Sequence, residues 1–143
     1  MASIRLAVES DVGEICSLDH IAQQSNKRKA FIQRSVVAEN CHVATDDIHI
    51  MGYAVLEHSF YERGFVSMLY VDPAWRRQGV GSALMRHLES LCRTDKLFAS
   101  TNLSNLPMQS LLIKLKYKLT GMIHDLDEGD PELVYVKCLR QCG

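Results

Sequence analysis

Apolar residues along the chain change their spacing several times, and each change predicts an element. Ile4-Arg5-Leu6-Ala7 reads as a short strand. Val12, Ile15 and Leu18, continued by Ile21 and Ala22, recur at helical intervals. Ser10 or Asp11 is placed to cap that helix, with Glu14 completing a capping box or reinforcing the first turn. A second helix is expected from Lys27 to Ala38, with Ala30, Phe31, Arg34 and Val37 helically spaced. The basic cluster Asn26-Lys27-Arg28-Lys29 at its start reads as a solvated face.

The period then shortens to two. Cys41 to Thr45, Ile48 to Leu56 and Phe65 to Val71 read as strands, the last rich in β-branched and aromatic residues. Asp46-Asp47 and a loop of Tyr61-Glu62-Arg63-Gly64 join them, so two antiparallel hairpins are expected. From Gly79 the helical period returns. Val80, Ala83, Leu84, Leu88 and Leu91 form one stripe, opposite Arg86, Glu89 and Arg93. Lys96 to Thr101 is a further strand. Pro107 opens a last helix at its first position, with Met108, Leu111, Leu112 and Leu115 inward. The end of that helix stays open, because Lys114 to Leu119 alternates as a strand would. Met122 to Leu126 and Leu133 to Leu139 are the final strands. The order β-α-α-β-β-β-α-β-α-β-β predicts an α/β fold, a mixed β-sheet flanked by helices.

Length and composition narrow the class. At 143 residues one domain, spanning 1–143, is the natural count. An apolar fraction of 47% with 23% charged residues excludes a disordered or collagen-like chain and a coiled coil. Sixteen Lys and Arg against seventeen Asp and Glu leave no basic surplus for nucleic acid. The five cysteines are odd in number and include no CxxC, which argues against a disulfide framework and for a reducing compartment. The first residues lack the apolar core of a signal peptide, and no run is long enough to span a membrane. The chain therefore reads as soluble and cytoplasmic. Its six histidines show no metal-ligand spacing, so no metal is expected.

Chemistry concentrates between Met68 and Leu84. A strand ends, a turn with Arg76, Arg77, Gly79 and Gly81 follows, and a helix begins. Helix N-termini present unpaired N–H groups and partial positive charge, glycines let an anion approach the backbone, and arginines add fork-shaped donors. Together these are the elements of a pyrophosphate cradle. No GxxxxGK[ST] occurs, and Leu84 stands where GxGxxG needs a third glycine, so neither familiar nucleotide loop applies.

Val71-Asp72-Pro73 followed by Arg76-x-x-Gly79-x-Gly81 resembles the acetyl-CoA signature of the GCN5-related N-acetyltransferases, [Q/R]-x-x-G-x-[G/A] after a V-x-P strand end. The opening Ile4 to Asp11, the strand containing Gly52-Tyr53-Ala54, and Asn102…Asn105…Met108 extend the likeness over nearly the whole chain. The resemblance implies that acetyl-CoA is the cofactor. Backbone groups of Leu69, Tyr70 and Val71 would face its pantetheine arm. Arg76, Arg77, Gln78, Gly79, Val80, Gly81 and Ser82 would surround the pyrophosphate. Asn102 and Asn105 would lie by the arm and its thiol end. It also implies acetyl transfer to a primary amine, on a small molecule or a protein, by direct attack on the thioester. A homodimer through the C-terminal strand is compatible with the same likeness.

Many relatives protonate the leaving thiolate from a tyrosine in the last helix; aligned from Asn105, that position is Leu112, and Tyr117 falls in the following pair. No carboxylate lies in Phe65 to Leu69. The remaining candidates are Glu57, which could act through a water or be a solvated edge, and Tyr70, whose hydroxyl sits where the cofactor strand is expected to splay. A non-catalytic acetyl-CoA sensor is the alternative that these gaps leave. Asp125, Asp127, Glu128, Asp130 and Glu132 crowd around the final turn. They read as a polar turn, or as an acidic rim in which Glu128 and Asp130 attract a cationic acceptor.

Overall fold

The structure is a computed structural model and describes residues 2–140. Its strands are β1 (Ser3–Leu6), β2 (Cys41–Thr45), β3 (Ile50–Phe60), β4 (Arg63–Val71), β5 (Lys96–Asn102), β6 (Lys118–Ile123) and β7 (Glu132–Cys138). Its helices are α1 (Val12–Leu18), α2 (Asn26–Val37), α3 (Val80–Leu91) and α4 (Leu106–Lys114). Apart from three short 3-10 turns, this is the order that the hydrophobic pattern predicts. The seven strands form one sheet in the order β1-β2-β3-β4-β5-β7-β6. β1, β2 and β3 pair antiparallel, β4 and β5 pair in parallel, and β7 pairs antiparallel with both β5 and β6.

Two compact units divide the chain. The first contains the segment up to Leu56 together with Met68–Ser90. Its core gathers Ile15 from α1, Ile32 and Val36 from α2, and Val43, Tyr53 and Val55 from the sheet. Successive residues of a strand face opposite ways. Tyr53 therefore enters that core, while a Cβ on Gly52 would point at Leu84 of α3, 3.4 Å away. The same Cβ would meet the Tyr70 carbonyl oxygen at 2.7 Å, so the close approach of β4 requires glycine there.

The second unit contains Glu57–Ser67 and the chain from Leu91 onward. Leu97 and Ala99 of β5, Leu112 of α4, Leu115, Tyr117 and the run Leu133 to Val136 are buried in it. The parallel pairing sets Gly64, Phe65 and Val66 against Leu97, Phe98 and Ala99. β4 continues beyond that pairing to Val71.

Several boundaries differ from expectation. The loop between β3 and β4 is a turn of two residues, with Tyr61 and Glu62 at φ of 50° and 65°. Left-handed backbone matches the twist of a tight hairpin, and here non-glycine residues supply it. The alternation after Leu115 belongs to a strand: α4 stops at Lys114 and β6 starts at Lys118, ending at Ile123 where a later strand was expected. Asp11 does not cap α1. Its carboxylate pairs with Arg5 at 2.7 and 3.0 Å and accepts the Val8 N–H, while Glu14 accepts the Ile50 N–H at 2.7 Å. Glu14 thus binds the start of β3 instead of completing a capping box from Asp11, while Asp11 binds β1 through Arg5 and the N-cap of the preceding 3-10 turn through Val8. Arg28, read as part of a solvated basic face, is paired with Asp19. Cys16, Cys41 and Cys92 are free thiols, in keeping with the absence of a disulfide framework, whereas Cys138 is disulfide-bonded, against the expected reducing compartment; Cys142 lies outside the described residues.

Candidate functional site

β4 delivers the chain to the turn that the sequence singles out. After Val71, the Asp72 N–H donates to Met51 O at 2.8 Å, and the Asp72 carboxylate accepts the Ala74 N–H at 3.0 Å. Pro73–Trp75 make a single 3-10 turn. Arg77 then adopts φ 65° and Gly79 φ 80°, two left-handed steps that turn the chain into α3. The helical ladder begins with Ala83 N–H donating to Gly79 O at 3.0 Å. The N–H groups just before it have no place in an intrahelical ladder and carry the positive end of the helix dipole. No heavy atom lies within 4 Å of where a Gly79 Cβ would stand, and Arg76 to Gly79 are exposed. An open, glycine-lined helix start with two adjacent arginines suits a pyrophosphate.

Arg76 is already committed in part. Its Nε–H donates to Val71 O at 2.9 Å, and its guanidinium carbon lies 5.6 Å from the centre of the Tyr70 ring. The arginine therefore braces the end of β4 against the turn, and it occupies one backbone acceptor of the three-residue segment expected to face a pantetheine arm. Leu69 and Val71 are half-buried, as are Gly81 and Ser82; Val80 is buried and anchors the helix start.

Tyr70 is buried, its ring stacked on Tyr53 with centroids 6.2 Å apart. Its hydroxyl is hydrogen-bonded to Nδ1 of His20 and also accepts the His20 main-chain N–H at 3.3 Å. Beneath it, Tyr53 donates its hydroxyl proton to Asp19 at 2.6 Å. Asp19 is fully buried and accepts further bonds from Arg28 at 2.7 Å and from the N–H groups of Ile21 and Ala22 at 2.9 and 3.2 Å. Burial alone would raise its pKa, but the bonds from Tyr53 and Ala22 and the Arg28 charge outweigh that and hold the carboxyl below its ordinary value. Burial, followed by the neighbouring Asp19, pushes the Tyr53 phenol upward. Sequence reasoning missed Asp19 and His20. The available signal was a carboxylate placed between Leu18 and Ile21-Ala22, within an apolar stretch where a charge needs partners.

In the second unit, Asn102 at the end of β5 donates to the Asp127 carboxylate at 2.9 Å and to Asp130 O at 3.3 Å. Asp130 accepts both the N–H and the hydroxyl of Ser104, at 3.0 and 2.6 Å. Asn105 caps α4 by accepting the Met108 N–H at 3.2 Å. The acidic turn is thus bound to the segment that leads into α4, and Asp130 is half-buried there, whereas Glu128 is exposed. Glu57 is half-buried on β3. Leu112 is fully buried, and Tyr117 is buried with the Lys137 ammonium 5.5 Å from its ring centre. Among the described residues no three His, Cys, Asp or Glu side chains gather as a metal site, and no helix is long and apolar enough to cross a membrane.

Fold and turn together define an α/β protein with an open, glycine-containing helix start after its fourth strand. The chain belongs to the acetyltransferase (GNAT) family, whose model matches residues 9–117. A GNAT-family acetyltransferase from Bacillus cereus ATCC 10987 is 30% identical, superimposes with a TM-score of 0.90, and is matched over 96% of this chain and 97% of its own. Ard1 of Thermoplasma volcanium is 20% identical at TM-score 0.84, over 98% and 99%. The yncA protein of Salmonella typhimurium, solved with its cofactor acetyl-CoA, is 17% identical at TM-score 0.78, over 99% and 95%. At such identities the last two likenesses establish the fold. No curated protein matches the chain.

Proposed function

We propose that this protein is an acetyl-CoA-dependent N-acetyltransferase that acts on a primary amine of a small molecule or a protein. The observation that carries the reading is the start of α3: an exposed turn with left-handed Arg77 and Gly79, two arginines, and N–H groups ahead of the first helical bond. Arg77, Gln78, Gly79, Val80, Gly81 and Ser82 hold the pyrophosphate, with Arg76 bracing the turn. Leu69, Tyr70 and Val71 offer backbone groups to the pantetheine arm, and Asn102 and Asn105 are the further cofactor-binding candidates. Acetyl-CoA supplies an activated thioester, so positioning accounts for a large part of the rate.

Glu57 and Tyr70 are the catalytic candidates, Glu57 through a water and Tyr70 through its hydroxyl. Glu128, exposed on the acidic turn, attracts a cationic acceptor, and Asp130 sets the shape of that turn through Ser104. No metal takes part, the partners are amine substrates and not nucleic acid or membrane, the cytoplasm is the site of action, and a homodimer is compatible with this reading. A second reading, an acetyl-CoA-binding sensor without turnover, is favoured by one observation: the position of the usual late-helix tyrosine is the buried Leu112.

Thioester consumption measured with a panel of mono-, di- and polyamines and lysine- or N-terminal-amine peptides separates the two. Amine-dependent release of free thiol supports the enzyme. Tight acetyl-CoA binding by calorimetry with no release supports the sensor, and no binding rejects both.

A further inference from the structure

We propose that His20 acts through Tyr70 as a proton relay for the acceptor amine, a role resting on the acetyltransferase reading above. The Tyr70 hydroxyl accepts the His20 main-chain N–H at 3.3 Å and shares a hydrogen with His20 Nδ1. With His20 in the Nε2–H tautomer the phenol proton points to Nδ1, and one oxygen lone pair remains for a further donor. Tyr70 lies on β4 between Leu69 and Val71, the segment assigned to the pantetheine arm, and two residues before the Asp72-Pro73 turn. His20 is exposed, so its other nitrogen reaches water.

The pair is built to keep its place. Tyr53 stacks on Tyr70 and is itself bound to Asp19, whose carboxylate is locked by Arg28 and two N–H groups. Arg76 lies against the Tyr70 ring from the cradle side. Tyr53 and Arg76 face the Tyr70 ring, and behind Tyr53 the charges of Asp19 and Arg28 neutralise each other. A neutral imidazole in the Nε2–H form is the state that accepts at Nδ1.

The relay moves one proton. The acceptor nitrogen bonds to the acetyl carbon as the carbon–sulfur bond breaks and the sulfur leaves with the electron pair. The surplus proton on nitrogen passes to the Tyr70 oxygen while the phenol proton crosses to His20 Nδ1. The resulting imidazolium gives one proton to water and returns by exchange with solvent to the Nε2–H form, and the thiolate takes a proton from water. No oxidant or further reactant is needed. Tyr70 touches the substrate, and His20 is the positioning residue behind it.

Two measurements test this. In protein with ¹⁵N-labelled histidine and no ligand, His20 is expected as the Nε2–H tautomer, with that preference lost in Tyr70→Phe; a His20 held as Nδ1–H overturns the relay. In amine acetylation, His20→Asn retains a hydrogen-bonding group but no exchangeable base. It is expected to lose ~100-fold in kcat/KM at neutral pH, the scale of general acid–base catalysis, and the histidine limb of the pH profile. Its acetyl-CoA affinity stays unchanged, and imidazole restores activity to His20→Ala. A wild-type profile in His20→Asn overturns the relay and leaves the enzyme reading standing. If the wild type acetylates no amine, the enzyme reading and the relay's catalytic role fall together, whatever tautomer His20 adopts.

Discussion

Asp130 holds both polar groups of Ser104, one carboxylate oxygen on the N–H at 3.0 Å and the other on the hydroxyl at 2.6 Å. A residue of the acidic rim is therefore also a clamp between the final turn and the approach to α4. Removing its charge weakens two charge-assisted bonds of ~1.5–3 kcal/mol each at most, screened by the partial exposure of the site. Asp130→Asn is expected to lower the stability of the protein by about 1 kcal/mol in urea unfolding. Glu128→Gln is expected to leave stability unchanged and to raise KM for a cationic amine at low salt only. An Asp130→Asn protein as stable as the wild type would show that the clamp carries no energy.

The cradle predicts a loss of cofactor affinity without a loss of fold. Gly81→Asp places a carboxylate in the first turn of α3, where the dipole and the arginines are set to receive an anion. Acetyl-CoA binding should weaken by roughly 10- to 100-fold, the equivalent of one charge-assisted contact. Arg76→Gln, which loses the planar cation over Tyr70 while keeping a donor for Val71 O, should weaken it less. Calorimetry on both variants checks the order, and unchanged affinity in folded Gly81→Asp would move the cofactor elsewhere.

The Asp19 network predicts a structural penalty. Breaking a buried ion pair from one side leaves an uncompensated charge and costs roughly 3–5 kcal/mol. Asp19→Ala strands Arg28, the Tyr53 hydroxyl and two N–H groups together. The variant is expected to unfold at a much lower urea midpoint, or to be recovered only as aggregate. Asp19→Asn keeps the acceptor for Tyr53 and should fall between it and the wild type. A midpoint for Asp19→Ala equal to that of the wild type is the contrary result.

His42 predicts a pH dependence. It is buried on β2, its Nδ1 has no hydrogen-bond partner, and burial, with a smaller contribution from His87, pushes it down to about 4. Between that value and the unfolded value of 6.5 the unfolded chain binds a proton that the native protein refuses. Stability is therefore complete above the unfolded value and falls as pH drops through this window, by roughly 3 kcal/mol for a shift of this size. Urea unfolding at pH 7 and pH 4.5 measures it, and His42→Leu should flatten the slope. An unchanged slope in His42→Leu would assign the pH dependence to carboxylates such as Asp11, which Arg5 holds below its usual range.

Much of this protein was determined by local sequence alone. The alternation and helical repeats predicted every strand and helix in order, because hydrophobic period is a local property of the chain. The strand, turn and helix start around Arg76 to Gly81 were legible for the same reason: the glycines and the helix start are contiguous in sequence, so the turn needs no tertiary contact to be read. Tertiary structure alone decided which polar groups are spent. Asp11 turned from a helix cap to a partner of Arg5 and Arg28 from solvent to Asp19, and Asp130 became a clamp on Ser104. The His20–Tyr70 pair joins residues fifty positions apart. A carboxylate, a phenol or an imidazole has the same sequence whether it faces water or a partner. Only the packing of distant segments removes the water and makes one particular partner worth having.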